Sequence, residues 1–293
     1  MKELTIISGK GGTGKTSLTA SFAALAENKV MVDADVDAAD MDLILTPSVK
    51  HEEDFKGGHY AVIRKDLCTE CGECRERCQY GAISEDYVID KIDCEGCGVC
   101  VHFCPVDAIE FPQRTCGKWY ISDTRHGPMI HAKLGIAEEN SGLLVSLLRQ
   151  KAREMAEEKG LDKIIVDGPP GIGCPVIASV ANSNGVLIIT EPTLSGTHDM
   201  ERVHQLAEFL NVPTMLCINK YDLNPGISEK MQAYAKTHNI VFVGAIPYDR
   251  DMTKAMVEQK SLVEYSDGAA SRAVTSIWEE VSDVVFPKNS GNN

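Results

Sequence analysis

The chain has 293 residues, 43% hydrophobic and 25% charged, and carries a formal net charge of −14. That composition suits a globular protein of one large domain or two smaller ones, and the acidic balance disfavours nucleic-acid backbones as partners. No stretch approaches the roughly eighteen apolar residues of a membrane span, and the C-terminal "SDVVFPKNSGNN" does not read as a basic amphipathic anchor.

The N-terminal "MKELTIIS" runs directly into a strand pattern and not into an export signal, so a cytoplasmic protein without a stable membrane anchor is expected. The run "ELTIIS" (3–8) is short, apolar and β-branched, and it ends in a glycine-rich loop. Helical spacing follows at 16–27, and "KVMVDAD" (29–35) reads as a second strand. Further strand patterns lie at 162–171, 185–192, 212–222 and 240–249, with helical patterns at 142–159, 198–210 and 227–238. Continuous apolar strands alternating with helices predict an α/β fold with a doubly wound, mostly parallel sheet. Residues 65–112 break this rhythm. They are expected to form a small α+β insert between two parts of the larger domain, 1–64 and 113–293.

Eight of the eleven cysteines fall in that segment. With no export signal, metal binding is a better reading than disulfides. "CTECGECRERC" places Cys68, Cys71, Cys74 and Cys78, and "CEGCGVCVHFCP" places Cys94, Cys97, Cys100 and Cys104. Both read C-x₂-C-x₂-C-x₃-C, and similar tails, "YGAI" and "VDAI", follow them. A zinc ribbon explains neither the three-residue offset nor the doubling. The segment resembles bacterial two-cluster ferredoxins, in which the fourth cysteine of each motif serves the other cluster. The resemblance implies one [4Fe–4S] cluster on Cys68, Cys71, Cys74 and Cys104, and a second on Cys94, Cys97, Cys100 and Cys78. Gln79 departs from it by standing where that pattern has proline.

The loop "SGKGGTGKTS" (8–17) satisfies G-x-x-x-x-G-K-[ST] with Gly9, Gly14, Lys15 and Thr16. In such a loop backbone amides cradle phosphates, the lysine neutralises them and the hydroxyl holds Mg²⁺. Gly11, Gly12, Thr13 and Ser17 complete the expected nucleotide-binding set. Lys10 is a lysine more than the motif needs. "KGGTGKT" resembles the deviant phosphate loop of the MinD/Mrp class of P-loop ATPases, which includes the nitrogenase iron protein. The resemblance covers most of the chain outside the insert. It implies ATP and Mg²⁺, and a nucleotide-sandwich dimer, with itself or with a paralogous ATPase, in which Lys10 reaches the partner's phosphates. It also implies that Asp35 orients the attacking water and that Asp167, at the end of "KIIVD", helps Thr16 hold Mg²⁺. Asp33, Asp37, Asp40 and Asp42 read as a solvated acidic face. Asn219 is expected at the base, with Pro247 and Tyr248 of "IPYD" beside it. "NKYD" also matches the guanine-reading pattern through Asp222, although relatives of this class use ATP. The C-x-x-C motif that bridges dimers of Mrp-type scaffolds is absent.

Cys217 reads as a core residue. Cys116, Cys174, His126 and His131 have ordinary structural readings as well as metal-binding ones. Three functional classes fit: an ATPase assembling a metallocluster in a client metalloprotein, an ATP-gated electron donor to an acceptor protein, and a positioning ATPase with a redox sensor. The resemblance favours the first.

Overall fold

The computed structural model describes residues 1–135 and 142–287. The parts of the 124–142 segment and of the C-terminal tail that fall at 136–141 and 288–293 lie outside the described residues. The chain divides into two units. The larger contains Met1–Glu53, Trp119–Lys133 and everything from the helix at Gly142 onward; the smaller contains Asp54–Lys118 and a short piece beginning at Leu134. The smaller unit therefore extends beyond 65–112 on both sides.

In chain order the first elements are β1 (Lys2–Ser8), α1 (Lys15–Leu25), β2 (Lys29–Asp33), α2 (Met41–Leu45) and β3 (Ser48–His59). Then come β4 (Val62–Ile63), α3 (Glu73–Arg77), α4 (Val99–His102), β5 (Ile109–Glu110), β6 (Gln113–Thr124) and β7 (Gly127–Leu134). The remainder alternates: α5 (Gly142–Lys159), β8 (Lys163–Asp167), α6 (Cys174–Val180), β9 (Gly185–Thr190), α7 (Leu194–Phe209), β10 (Thr214–Asn219), α8 (Pro225–Thr237) and β11 (Val241–Ile246). Helices α9 (Asp251–Val257), α10 (Leu262–Tyr265) and α11 (Ala269–Val285) follow.

The large sheet has the order β11-β10-β9-β1-β8-β2-β7-β6-β3. Its run from β11 to β7 is parallel. The central strands read as unbroken apolar runs because both sheet faces are covered. Along β1, Leu4 and Ile6 face the layer holding Phe22, Trp278 and Val281, while Ile7 faces the layer holding Val180, Met200 and Met231. Phe22 of α1 packs on Trp278 of α11 with ring centroids 5.0 Å apart. Such a fully buried aromatic contributes about 1.5–3 kcal/mol by removal from water. Local signals fix the helix starts. Thr193 accepts the Gly196 N–H at the head of α7, Asn224 precedes Pro225 at the head of α8, and Ser261 and Glu264 cap α10 reciprocally.

A parallel sheet sends its carboxyl ends to one edge. Ser8, Asp33, Asp167, Thr190, Asn219 and Ile246 therefore end neighbouring strands on the same side, where ligands of open α/β sheets bind.

In the smaller unit, β4 and β5 pair antiparallel. Short helices α3 and α4 each start immediately after a glycine in the left-handed region, Gly72 (φ 89°) and Gly98 (φ 74°). These are equivalent positions of the sequence repeat, and glycine adopts that backbone without a Cβ penalty.

Candidate nucleotide site and cysteine cavities

The loop between β1 and α1 walls a cleft of about 480 Å³. Gly11, Gly12, Thr13, Gly14, Lys15, Thr16 and Ser17 line it, joined by Asp35, Asn219, Pro247 and Tyr248. Gly14 turns the loop into the helix at φ 89°, and a Cβ there would fall 2.5 Å from the Asn219 side-chain nitrogen. The start of α1 thus presents its free N–H groups and positive dipole end to the cleft.

Gly9 and Lys10 do not line this cleft. Gly9 sits against Asp199 of α7. The Lys10 carbonyl accepts the Ser8 hydroxyl at 2.9 Å, and its ammonium lies 3.7 Å from Glu191. Ser17 borders the cleft, but its hydroxyl donates to the Met256 sulfur at 3.4 Å.

A buried charge cluster lies beneath the loop. Lys15 Nζ donates to Asp35 Oδ2 and Asp167 Oδ1, both at 3.0 Å, and Thr19 adds its hydroxyl to Asp167 Oδ1 at 3.0 Å. Asp33 stands directly opposite Asp167 in the β2–β8 register and is 1% exposed. The expectation of a solvated acidic face fails at Asp33, because it closes a central strand instead of opening a surface loop. Its Oδ1 accepts the Asp35 N–H at 3.2 Å. Burial, reinforced by Asp167, raises the Asp33 pKa well above the usual carboxylate range. Burial also raises that of Asp35, against the pull of Lys15, whose own pKa is raised because the two carboxylates outweigh its burial. One oxygen on each of Asp33, Asp35 and Asp167 is buried without a hydrogen-bond partner, as is the Thr13 hydroxyl. One ammonium among three carboxylates thus leaves unpaired acceptor atoms inside the buried cluster.

At the base end, Asn219 is engaged on both sides. Its Nδ2 donates to the Thr13 carbonyl at 2.8 Å and its Oδ1 accepts the Lys220 N–H at 2.9 Å. It borders the cleft and at the same time ties the phosphate loop to β10. Asp222 does not line the cleft: its carboxylate accepts the Tyr248 N–H at 2.7 Å. The guanine-reading role left open by "NKYD" therefore meets a carboxylate already used as a loop brace. Sequence reading missed the wall supplied by Met252, Thr253 and Met256 of α9. The signal was present as methionines four residues apart just after "IPYD", which share one helix face.

The cysteine-rich unit contains two cavities. One, of about 20 Å³, is walled by Cys68, Cys71, Cys74 and Cys104 with Ile63, Val106 and Ile109. The other, also of about 20 Å³, is walled by Cys78, Cys94, Cys97 and Cys100 with Ala61, Ile83 and Phe111. Each takes three thiols from one motif and the fourth from the other. Backbone N–H groups of Glu70 and Ala108 donate to the sulfurs of Cys68 and Cys104 at 3.4 and 3.2 Å. Burial pushes the Cys100 thiol up to about 11. Among the described residues, no three His, Cys, Asp or Glu side chains come together closely enough to hold a single metal ion.

Of the remaining cysteines, Cys217 is fully buried in β10, with its thiol pushed up to about 12 by burial. Cys116 donates to the Gly57 carbonyl at 2.8 Å, and Cys174 is exposed at the start of α6. His131 is buried, hydrogen-bonded to Ser122 at 2.8 Å and stacked on Tyr120. His126 lies 2.9 Å from Glu264.

A model of the CobQ/CobB/MinD/ParA nucleotide binding domain matches residues 4–263. The chain belongs to this family. An uncharacterized protein of Methanocaldococcus jannaschii is 33% identical over 288 residues, 97% of each chain. Pyruvate synthase subunit PorD of Methanothermobacter marburgensis is 44% identical over 46 residues, 16% of this chain and 57% of that one. Among solved structures, the septum site-determining protein MinD of Pyrococcus horikoshii, complexed with Mg-ADP, superposes with a TM-score of 0.60. It is 16% identical, covering 97% of this chain and 96% of its own, a likeness that establishes a MinD-like α/β P-loop fold. No helix among the described residues is long and apolar enough to cross a membrane.

Proposed function

We propose that this chain is a cytoplasmic, dimeric MinD-type ATPase that carries two [4Fe–4S] clusters and couples MgATP binding and hydrolysis to metallocluster assembly in a client metalloprotein. The observation that carries the reading is the occurrence, in one chain, of a P-loop cleft and two cavities each walled by four interleaved cysteines. The short match to the pyruvate synthase subunit is comparable in length to the cysteine-bearing segment and supports the same reading.

The donor sets fit the groups proposed. Four thiols around an apolar cavity suit a cubane, which supplies one-electron chemistry when bound. Cys68, Cys71, Cys74 and Cys104 would hold one, and Cys78, Cys94, Cys97 and Cys100 the other. In the nucleotide cleft, the amides of Gly11 to Thr16 bind the phosphates. Lys15 leaves Asp35 and Asp167 to neutralise them. Thr16 and Asp167 hold Mg²⁺, and Asp35, released from Lys15, orients the attacking water. Lys10, which does not line its own cleft, serves the partner's phosphates when two subunits close. Hydrolysis then reports closure, because transition-state charge is fully matched only in the dimer.

Anaerobic purification with and without MgATP tests the reading. About eight iron and eight acid-labile sulfide per chain are expected, together with a retained client whose metal content depends on ATP. Stoichiometric zinc without sulfide would overturn the cluster assignment. A client whose metal content is indifferent to ATP would overturn the assembly role.

A further inference from the structure

The loop lysine that the sandwich requires is already paired in the resting subunit. Lys10 Nζ lies 3.7 Å from Glu191 Oε2, and the other oxygen of that carboxylate accepts from Lys220 Nζ at 2.5 Å. Glu191 follows β9 directly, Lys220 follows β10, and Lys10 follows β1, so three adjacent parallel strands deliver one carboxylate between two ammonium groups. Lys220 is fixed from its backbone side as well, since Asn219 accepts its N–H and bonds the Thr13 carbonyl in turn. Lys10 and Lys220 are similarly exposed, 37% and 32%, so the longer contact, 3.7 Å against 2.5 Å, marks Lys10 as the more loosely held of the two.

We propose that Glu191 is a positioning residue that holds Lys10 within its own subunit at rest and sets the threshold at which two subunits close around nucleotide. The inference rests on the trans role proposed for Lys10. When Lys10 leaves, Glu191 keeps Lys220 as counter-ion, so no bare charge is left at the rim and departure is inexpensive. The contact is a partly exposed ion pair, for which the hold amounts to roughly a two- to fivefold bias per subunit on the closing equilibrium. Lys220 shares the carboxylate with Lys10, so removing the Lys220 charge strengthens the grip on Lys10.

The test measures the ATP-dependent monomer–dimer equilibrium by sedimentation, in an Asp35→Ala parent that holds ATP without turnover. Each closing dimer releases two such pairs, so Glu191→Gln is expected to lower the dimer dissociation constant by about four- to twenty-five-fold, and Lys220→Gln to raise it. ATP affinity, measured on dilute monomer, separates the latch from a structural role: Lys220 also borders the cleft, so Glu191→Gln keeps or raises that affinity if the latch acts through Lys10, and does not lower it. A dimer that forms with the same constant in parent and both variants overturns the latch and leaves the sandwich standing. A shift of the same sign in both variants, or a loss of monomer ATP affinity in Glu191→Gln, also overturns the latch. A parent that forms no ATP-dependent dimer at any concentration overturns both.

Discussion

Asp222 accepts the backbone N–H of Tyr248 at 2.7 Å and stays out of the lining of the nucleotide cleft. The pair joins the end of β10 to the loop after β11, so the carboxylate supports the base wall from behind. Asp222→Asn should therefore change the ratio of ATP to GTP affinity by less than about threefold, whereas losing a group that truly pairs with a base costs orders of magnitude. Stability should fall by about 1 kcal/mol through the weakened brace. Competition titrations and thermal melts of the two proteins check both halves.

Asp33 shares its buried site with Asp35, Asp167 and a single ammonium. Asp33→Asn keeps the acceptor for the Asp35 N–H and removes one charge. The nucleotide-free variant should melt higher at neutral pH, by about 1–3 kcal/mol of added stability. Lys15→Ala goes the other way: it should lose about 3–5 kcal/mol and tight MgATP binding together. A Lys15→Ala protein that melts like the wild type would show that the carboxylates are not held by this lysine.

The trans assignment of Lys10 makes a composite site testable by mixing. Lys10→Ala and Asp35→Ala chains should each be inactive alone, with ATPase activity returning when they are combined. The Asp35 of one chain and the Lys10 of the other complete one site per heterodimer. Heterodimers that form and remain inactive would return Lys10 to its own subunit.

Cys94→Ala and Cys217→Ala separate cluster ligands from core thiols. The first should remove about half of the iron and sulfide and leave nucleotide affinity intact, because the cavity it walls is built entirely within the smaller unit. The second should keep iron and sulfide in full and lose only packing stability, about 1 kcal/mol. Iron analysis beside a melting curve reads both.

Burial pushes the His131 imidazole down to about 4 from its ordinary 6.5. The unfolded chain therefore takes up a proton below pH 6.5 that the folded chain refuses until about pH 4. Stability should be complete above pH 6.5 and decline by about 2–3 kcal/mol as the pH falls to 4. His131→Gln, which retains a partner for Ser122, should flatten that part of the profile. Parallel curves for both proteins would assign the decline to other groups.

The parallel strands and the phosphate loop were legible because their signals are local: apolar runs of fixed length and a glycine motif between strand and helix. Helices α5, α7 and α8 sit within a few residues of their sequence patterns for the same reason. Asp33 was misread since only strand register distinguishes it from Asp37 four residues later; Asp33 meets Asp167 across the β2–β8 pair. The strands β3, β6 and β7 carry charged residues and mixed exposure, so no apolar run announced them. The Met252 and Met256 wall depends on where α9 docks, which periodicity alone cannot give. Glu191 was invisible for a related reason: its two lysines lie far away in sequence and meet it only through the strand order.

The crossing of Cys78 and Cys104 between the two cavities also sets the order in which each thiol set is completed along the chain. During synthesis the first motif emerges with three thiols of its own cavity and one that belongs to the other. All four thiols of the Cys78, Cys94, Cys97 and Cys100 set have emerged with Cys100, whereas the other set waits for Cys104. A chain cut between the two motifs therefore retains neither complete set of four thiols.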